Sequence, residues 1–170
     1  MNKESKNFHY LEQHKDLMFT PLNIASDIIS KIDIKADDKV LDGFKGGGAF
    51  YDQLPLCRKY YCETDEKIDF FDWDNRVDWV VSNPPFKILR DGQPINALIL
   101  IINHCINISN KGFGLLINHT LWNALTVKRL HSWKSKNFNI TYIKVYEIKK
   151  WFGRYYFVLF EKNKEGILDF

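Results

Sequence analysis

The sequence predicts an α/β fold, in which a mostly parallel sheet is covered by helices on both faces and closed by a C-terminal β-hairpin. Three observations predict it. Short apolar segments alternate with segments of helical periodicity along most of the 170 residues. A glycine-rich turn, residues 43–48, follows the first of these apolar segments. Only a turn, residues 149–154, separates the last two, which is typical of an antiparallel pair.

The elements are predicted in chain order. Thr20 and Pro21 indicate a helix start with Thr20 as N-cap, because isoleucines then recur on one helical face. Further helices are expected from the glycine turn to about Leu54, over residues 95–108 and over residues 121–133. Gly112 and Gly114 are expected to lead into a strand. Strands are predicted at residues 39–42, 58–62, 67–71, 79–82, 115–118, 139–148 and 155–161. Ligands of such sheets bind at the carboxyl ends of the strands, so the glycine turn, Glu63 and residues 83–86 should share one cleft.

Length and cysteine content indicate one reduced domain. A chain of 170 residues supports one core and is too short for a second sizeable domain, so we expect residues 1–170 to be a single domain. Cys57, Cys62 and Cys105 lack metal-ligand spacing with the five histidines, so we expect reduced thiols and no metal. The first 15 residues are polar and lack an apolar leader, from which we expect a cytoplasmic protein.

Positive charge is concentrated in the C-terminal part. Residues 120–164 contain ten Lys or Arg and two Glu, a net charge of +8, whereas the whole chain carries +3. The same segment is rich in aromatic residues: Trp122, Trp133, Trp151, Phe152, Tyr155 and Tyr156. Cations that meet phosphates and rings that meet bases are what a nucleic-acid surface requires. The alternative is a solvated surface above aromatic residues of the core.

A rigid acceptor turn follows the apolar residues Val80 and Val81. It consists of Asn83, Pro84, Pro85 and Phe86. Both prolines lack a backbone donor, so the Asn83 side-chain oxygen and the Pro84 carbonyl can accept the two N–H bonds of a planar amine. Phe86 offers a ring face on which an aromatic amine can stack. The alternative is a strand that ends in a tight turn.

The glycine turn is typical of a nucleoside site. Its glycines let the backbone approach a ligand, and it lacks the Lys-Ser/Thr ending of a phosphate-binding loop, which argues against an NTPase. Glu63 follows about 20 residues after Asp42, where a carboxylate can accept both hydroxyls of a ribose. A dinucleotide and a nucleoside cofactor fit equally well, and ordinary strand-end residues are the alternative.

In this order the segments resemble the class I S-adenosylmethionine-dependent methyltransferases, specifically those that methylate adenine in DNA. The resemblance covers residues 18–160. It implies a Rossmann-like fold with a seven-stranded sheet, S-adenosylmethionine as cofactor, and transfer of a methyl group to N6 of adenine, in DNA rather than RNA. Its most specific part is Asn83-Pro84-Pro85-Phe86, which matches the catalytic motif.

The resemblance also implies roles for the other motif residues. Phe19-Thr20-Pro21 corresponds to an upstream cofactor motif, Glu63 to the acid that binds ribose, and Asp69 with Phe70 to the pair that brackets adenine, with Asp72 as the fallback. The residues implied to bind cofactor are Thr20, Pro21, Asp42, Gly43, Phe44, Gly46, Gly48, Phe50, Glu63, Asp69, Phe70 and Asn83. Those implied to contact substrate are Phe86, Lys149, Lys150, Trp151, Phe152 and Arg154, with Trp151 or Phe152 as a second stacking ring.

The sequence departs from the family pattern in three ways. Gly43 and Lys45 replace a proline and a small residue of the glycine motif, and only five residues separate Glu63 from Asp69, so the usual helix there is reduced. No target-recognition domain is expected, which leaves room for a partner protein that supplies recognition. Three alternatives therefore stay open: an RNA substrate, a protein glutamine, or a cofactor-binding subunit without activity. His104, His119 and His131 are interpreted as surface or core residues.

Overall fold

The computed structural model of the protein describes residues 8–10, 19–90, 93–149, 151 and 153–170. The strands in the described part are β1 (Phe8–Tyr10), β2 (Lys39–Asp42), β3 (Arg58–Tyr61), β4 (Val77–Ser82), β5 (Lys87–Arg90), β6 (Gln93–Asn96), β7 (Ser109–Asn118), β8 (Phe138–Glu147) and β9 (Arg154–Lys162). The helices there are α1 (Leu22–Ile29), α2 (Leu98–Ile108), α3 (Thr120–Ala124) and α4 (Val127–Lys134). The predicted substrate residues Lys150 and Phe152 lie outside the described residues.

A six-stranded sheet organises the molecule. Its order is β3-β2-β4-β7-β9-β8, in which β3, β2, β4 and β7 are parallel and β9 runs antiparallel to both β7 and β8. The predicted α/β class, the mostly parallel sheet and the C-terminal β-hairpin are therefore confirmed. Because β2, β3 and β4 are parallel neighbours, their carboxyl ends lie on one edge of the sheet, which we call the carboxyl edge.

The strand predicted at residues 67–71 is wrong. The described sheet therefore has six strands and not the seven that were predicted. Lys67 has a φ of 61° in the left-handed region, and the Asp69 carboxylate accepts from Phe71 N at 2.7 Å. The local turn therefore competes with extended pairing, and Phe70–Asp72 form one turn of 3₁₀ helix.

Three helix predictions need correction. After the glycine turn there is a single 3₁₀ turn, Tyr51–Gln53, instead of a helix. The helix predicted over residues 95–108 begins at Leu98, because Gln93–Asn96 pair with β5 as a strand. The helix predicted over residues 121–133 is two helices, since the Thr126 side chain accepts from Arg129 N and caps a new start.

Gly112 and Gly114 lie inside β7 and not before it. A Cβ at Gly112 would lie 2.4 Å from the carbonyl oxygen of Phe160, and one at Gly114 would lie 2.5 Å from the Phe157 ring. The missing side chains therefore allow β9 and its aromatic residues to pack closely on β7.

A second sheet lies beside the turn that follows β4. It has the order β1-β5-β6, with all pairs antiparallel. Ala97 N donates to the carbonyl oxygen of Phe86 at 3.1 Å, which closes the base of the β5–β6 hairpin. The hairpin is thereby inserted between the Asn-Pro-Pro-Phe turn and α2.

The two faces of the six-stranded sheet bury separate apolar clusters. Alternate residues of β9 point to opposite faces, so that Tyr156 belongs to the cluster with α2 and Tyr155 to the cluster with α1. No helix in the described part of the chain has the length and apolarity needed to span a membrane.

Candidate active site

The glycine loop begins where β2 ends, at Asp42. Gly46 and Gly48 have positive φ values of 47° and 79°, and Gly48 N donates to the carbonyl oxygen of Lys45 at 2.8 Å. Two aromatic rings pack on the loop, so that a Cβ at Gly43 would lie 2.9 Å from Phe70 and one at Gly47 would lie 2.6 Å from Phe19. The glycines are therefore required both by the backbone conformation and by the contacts with these rings.

The Asp42 carboxyl is fully buried at the base of this loop. Its Oδ1 accepts from the Ser82 hydroxyl at 2.7 Å and from Phe44 N at 3.3 Å, while Oδ2 has no hydrogen-bond partner among the described residues. Burial raises the pKa of Asp42 to about 6, although the hydrogen bond from Ser82 lowers it. The site therefore contains a buried acceptor whose charge changes near neutral pH.

Glu63 follows β3 and ties this strand end to the glycine loop. Its Oε2 accepts from Gly46 N at 2.7 Å, and Oε1 accepts from Asp65 N at 3.4 Å. Lys45 N also donates to the carbonyl oxygen of Cys62, at 3.0 Å. The two segments that the sequence predicted to share a cleft are thus joined directly.

The unusual Lys45 side chain of the glycine motif is held at the β3 side of the loop. Its Nζ lies 3.9 Å from the centroid of the Tyr61 ring and 3.5 Å from Glu66 Oε1. Tyr61 donates to Glu66 Oε2 at 2.8 Å, which completes a small cluster. The lysine is therefore accommodated by an aromatic and an acidic neighbour that the glycine motif does not include.

The segment after Glu63 contributes a buried ring. Phe70 is 1% exposed and lies 4.7 Å from the rings of both Phe44 and His104. Asp69 is half-buried, whereas Asp72 is exposed. Phe70 therefore packs against the glycine loop at Gly43 and Phe44. The predicted role of Asp69 and Phe70 in bracketing an adenine stays a prediction.

The Asn-Pro-Pro-Phe turn leaves the end of β4, next to Ser82. Asn83 Oδ1 is buried and has no hydrogen-bond partner among the described residues. Phe86 is partly buried, and its ring lies 6.1 Å from that of Tyr155 in β9. Ser82, which precedes Asn83, is hydrogen-bonded to Asp42. The two buried acceptors without a partner in the described part of the chain, Asn83 Oδ1 and Asp42 Oδ2, therefore belong to neighbouring parts of the carboxyl edge.

The turn between β8 and β9 adds a second aromatic wall. The Trp151 ring is buried and meets the Tyr155 ring at 4.6 Å, and Trp151 N donates to the carbonyl oxygen of Ile148 at 2.8 Å. Lys149 and Arg154 are exposed here. The described residues line an open cleft of about 340 Å³: Glu147, Ile148, Lys149, Trp151, Gly153 and Arg154.

The upstream motif lies outside helix α1. Pro21, and not Thr20 as predicted, occupies the N-cap position, because the Pro21 carbonyl accepts from both Ile24 N and Ala25 N at 3.0 Å. Thr20 is buried, and Phe50, at the end of the glycine motif, is a core residue.

Sequence reasoning missed Ser82 as part of the site. Ser82 directly precedes the Asn-Pro-Pro-Phe turn, and that position was the available signal. Tyr155 was named only among the aromatic residues of the basic segment, and nothing in the sequence indicated that its ring lies beside that of Phe86.

Neither a protein family nor a curated protein matches the chain by sequence, but solved structures match its fold. A candidate RNA methyltransferase from Pyrococcus horikoshii has a TM-score of 0.64 at 20% identity, over 89% of this chain and 87% of that protein. A modification subunit of a candidate type I restriction enzyme from Vibrio vulnificus gives 0.66 at 14%, over 87% and 45%. A candidate class I S-adenosylmethionine-dependent methyltransferase from Listeria monocytogenes gives 0.61 at 14%, over 84% and 59%. The chain has the class I methyltransferase fold.

Two of these comparisons are with longer proteins, since the chain spans about half of the Vibrio and Listeria methyltransferase-fold proteins. In the part of this methyltransferase fold that the structure describes, no group of three or more His, Cys, Asp or Glu side chains could hold a metal ion. The carboxyl edge instead combines a glycine loop, two carboxylates and an amide acceptor beside aromatic rings, a set of groups suited to a nucleoside and to an aromatic amine.

Proposed function

We propose that the chain is an S-adenosylmethionine-dependent N-methyltransferase that methylates the exocyclic amine N6 of adenine in DNA. One observation carries the proposal: Asn83 Oδ1 is a buried acceptor without a partner, in the turn directly after Ser82. A buried polar atom left unpaired costs about 1–3 kcal/mol. Such an atom at the ligand edge of an α/β sheet indicates a donor that arrives with the ligand.

The residues at the β2 and β3 ends fit the cofactor. The unpaired Asp42 Oδ2 is suited to an ammonium or hydroxyl group, and the half-buried Glu63 is suited to ribose hydroxyls. Asp69 is the third residue that we assign to cofactor binding. S-adenosylmethionine would supply an electrophilic methyl group on a positively charged sulfur.

The Asn-Pro-Pro-Phe turn would orient the amine. Asn83 Oδ1 and the Pro84 carbonyl accept its two N–H bonds, which favours a more tetrahedral nitrogen with its lone pair directed at the methyl carbon. Asn83 and Pro84 would hold the amine while the new N–C bond formed and the carbon–sulfur bond of the bound cofactor broke, and the surplus proton of the amine would pass to water. No strong general base is required before the transfer.

The aromatic residues would hold the base. Extrusion of a base from its stack costs about a few kcal/mol, which stacking on Phe86 partly offsets. Trp151 and Tyr155 form the adjoining wall, with ring centroids 4.6 Å apart. Arg154 and Lys149 are exposed beside them and suited to phosphates.

RNA is the second candidate substrate, favoured by one comparison. The Pyrococcus protein is matched over nearly the full length of both chains and is described as a candidate RNA methyltransferase. The Vibrio protein, a modification subunit of a candidate restriction enzyme, favours DNA. The excess of Lys and Arg in residues 120–164 favours nucleic acid over a protein glutamine.

Replacement of Asn83 tests the proposal. Wild-type protein is incubated with labelled S-adenosylmethionine and separate pools of DNA, RNA and protein, and the product is identified by mass spectrometry. Asn83→Ala should lower the transfer rate about a hundredfold or more, because loss of one preorganised polar contact costs about 3 kcal/mol. Asn83→Asp should retain part of the activity, since a carboxylate offers the same acceptor geometry.

Asn110→Ala is the matched control, because Asn110 is an exposed asparagine near the start of β7, away from the carboxyl edge. Calorimetry should show that Asn83→Ala still binds cofactor with little change in affinity, because Asp42, Glu63 and Asp69 remain. Equal rates of adenine methylation by wild type and Asn83→Ala would reduce the turn to a structural feature. The absence of cofactor binding by wild type at millimolar concentration would end the cofactor assignment.

A further inference from the structure

An exposed tryptophan stands on the carboxyl edge, outside the residues assigned above. Trp122 belongs to α3, which starts directly after β7, and 47% of its surface is exposed. Asn118 fixes this start, since its Oδ1 accepts from Thr120 N at 3.0 Å and from the Thr120 hydroxyl at 2.6 Å. Trp122 therefore lies at the same edge as the Asn-Pro-Pro-Phe turn, because β4 and β7 are parallel neighbours.

The Trp122 ring is held in place by Tyr156. The two rings meet edge to face, with centroids 5.2 Å apart and planes at 84°. The buried residues Leu121 and Ala124 fix the other side of α3 in the core. A half-exposed indole that is supported in this way offers a ring face to a ligand with little loss of side-chain entropy.

The surroundings of Trp122 are basic. Residues 92–146 contain no Asp or Glu. Lys128 is exposed in the first turn of α4, and Arg129 Nη1 donates to the Ala124 carbonyl at 3.1 Å, which holds the guanidinium beside the end of α3.

This surface differs from the wall of the proposed target-base site. Phe86, Trp151 and Tyr155 pack with the α1-side cluster, whereas Tyr156, which supports Trp122, packs with the α2-side cluster. The carboxyl edge thus carries two aromatic surfaces on opposite faces of the sheet. The surface around Trp122 is the exposed one, and residues 92–146, to which Trp122 belongs, supply it with cations and no carboxylates.

We propose that Trp122 stacks on a nucleotide base that flanks the target base, while Lys128 and Arg129 bind the phosphates of that strand. The surface takes an unpaired strand, because a base that is stacked in a duplex cannot present its face to the Trp122 ring. The assignment deepens the proposed function, since the bound strand is the substrate of that reaction. It gives Trp122, which the sequence placed among the aromatic residues of the basic segment, a specific contact with the substrate.

Binding of a labelled single-stranded oligodeoxynucleotide with one central adenine tests this assignment, measured by fluorescence anisotropy without cofactor. Trp122→Leu keeps an apolar side chain but removes the ring, and should weaken binding about tenfold. Trp122→Phe keeps a ring and should stay within about twofold of wild type. Thermal unfolding of both variants shows that the fold is retained.

Lys128→Ala and Lys136→Ala form the matched pair for charge. Both residues are exposed lysines in the α4 segment, but Lys136 lies just before β8, at the opposite edge of the sheet. Lys128→Ala should lower the slope of log affinity against log salt by about 0.7, the value for one phosphate contact with a single strand. Lys136→Ala should leave the slope unchanged.

Three results would overturn the assignment: equal weakening by Trp122→Leu and Trp122→Phe, equal effects of Lys128→Ala and Lys136→Ala, or no binding by wild type. Unchanged nucleic-acid affinity in Trp122→Leu together with a lower sedimentation mass would make the surface a contact between copies of this chain. Calorimetry with S-adenosylmethionine separates the two proposals. Cofactor binding with no effect of Trp122→Leu refutes only this inference, whereas ring-dependent oligonucleotide binding without cofactor binding refutes only the cofactor assignment.

Discussion

Replacement of Asp42 by asparagine should stabilise the protein at neutral pH, although Asp42 is a candidate cofactor residue. In the folded protein burial raises the pKa of this carboxyl from 3.8 to about 6. Between these values the folded state binds more protons than the unfolded state, so stability falls as pH rises. Asparagine keeps the oxygen that accepts from the Ser82 hydroxyl and removes the buried charge.

The size of the effect follows from the pKa difference. A difference of about two pH units, at about 1.4 kcal/mol per unit, corresponds to about 3 kcal/mol in the free energy of unfolding. The whole penalty acts on the wild type above about pH 6, and less than about 1 kcal/mol of it remains at pH 4. The stability of Asp42→Asn relative to wild type should therefore increase by about 2 kcal/mol between pH 4 and pH 8.

Urea denaturation at pH 4, 6 and 8 measures this difference. Asp74→Asn, at an exposed aspartate, reports the general effect of the loss of one negative charge. A stability difference between Asp42→Asn and wild type that is the same at pH 4 and pH 8 would refute the reasoning. If the cofactor assignment is right, the same variant binds S-adenosylmethionine more weakly, and wild-type affinity falls as pH drops below about 6, because protonated Asp42 cannot pair with a cation.

Two further predictions concern stability. Hydrogen bonds from Lys144 and Tyr146 lower the pKa of Asp27 to about 2. Asp27→Asn should therefore lower the free energy of unfolding at pH 7 by about 1 kcal/mol, a value reduced for solvent screening because the carboxylate is 31% exposed. This loss should shrink as pH falls from about 4 to about 2, and urea denaturation that shows the same loss at pH 3 and pH 7 would contradict it. Gly112→Ala should destabilise by about 3 kcal/mol, because its Cβ would lie 2.4 Å from the Phe160 carbonyl oxygen; a thermal midpoint equal to that of wild type would contradict the close packing of β7 and β9.

Much of the sheet could be predicted from the sequence because β4, β7 and β9 are largely apolar and because β2 and β4 end in distinctive residues. β2 was predicted with its observed bounds, since Asp42 and the glycine turn mark where it stops. The junction of Glu63 with the glycine loop was predicted from the parallel order alone, and the bond from Gly46 N to Glu63 confirms it. The catalytic and binding roles of these residues stay predictions.

The remaining features depend on contacts that are distant in sequence. Gly112 and Gly114 were predicted to lead into a strand, but they lie inside β7, where the Phe160 carbonyl and the Phe157 ring occupy the space of their side chains. Gln93–Asn96 carry a proline and few apolar residues, and become a strand only by pairing with β5. The unpaired state of Asn83 Oδ1 likewise follows from burial, which no residue pattern reveals.

The hydrogen bond from Ala97 N to the Phe86 carbonyl oxygen closes the base of the β5–β6 hairpin. The conformation of the Asn-Pro-Pro-Phe turn therefore does not depend on the length of that hairpin. Residues 87–96 leave and return at one point, so a segment added to the hairpin beyond the buried Ile88 would change what stands beside the candidate site without displacing Asn83. A recognition peptide of chosen specificity could be inserted there, and the fold would tolerate the insertion as it tolerates a longer surface loop, for which the entropic cost rises only slowly with length.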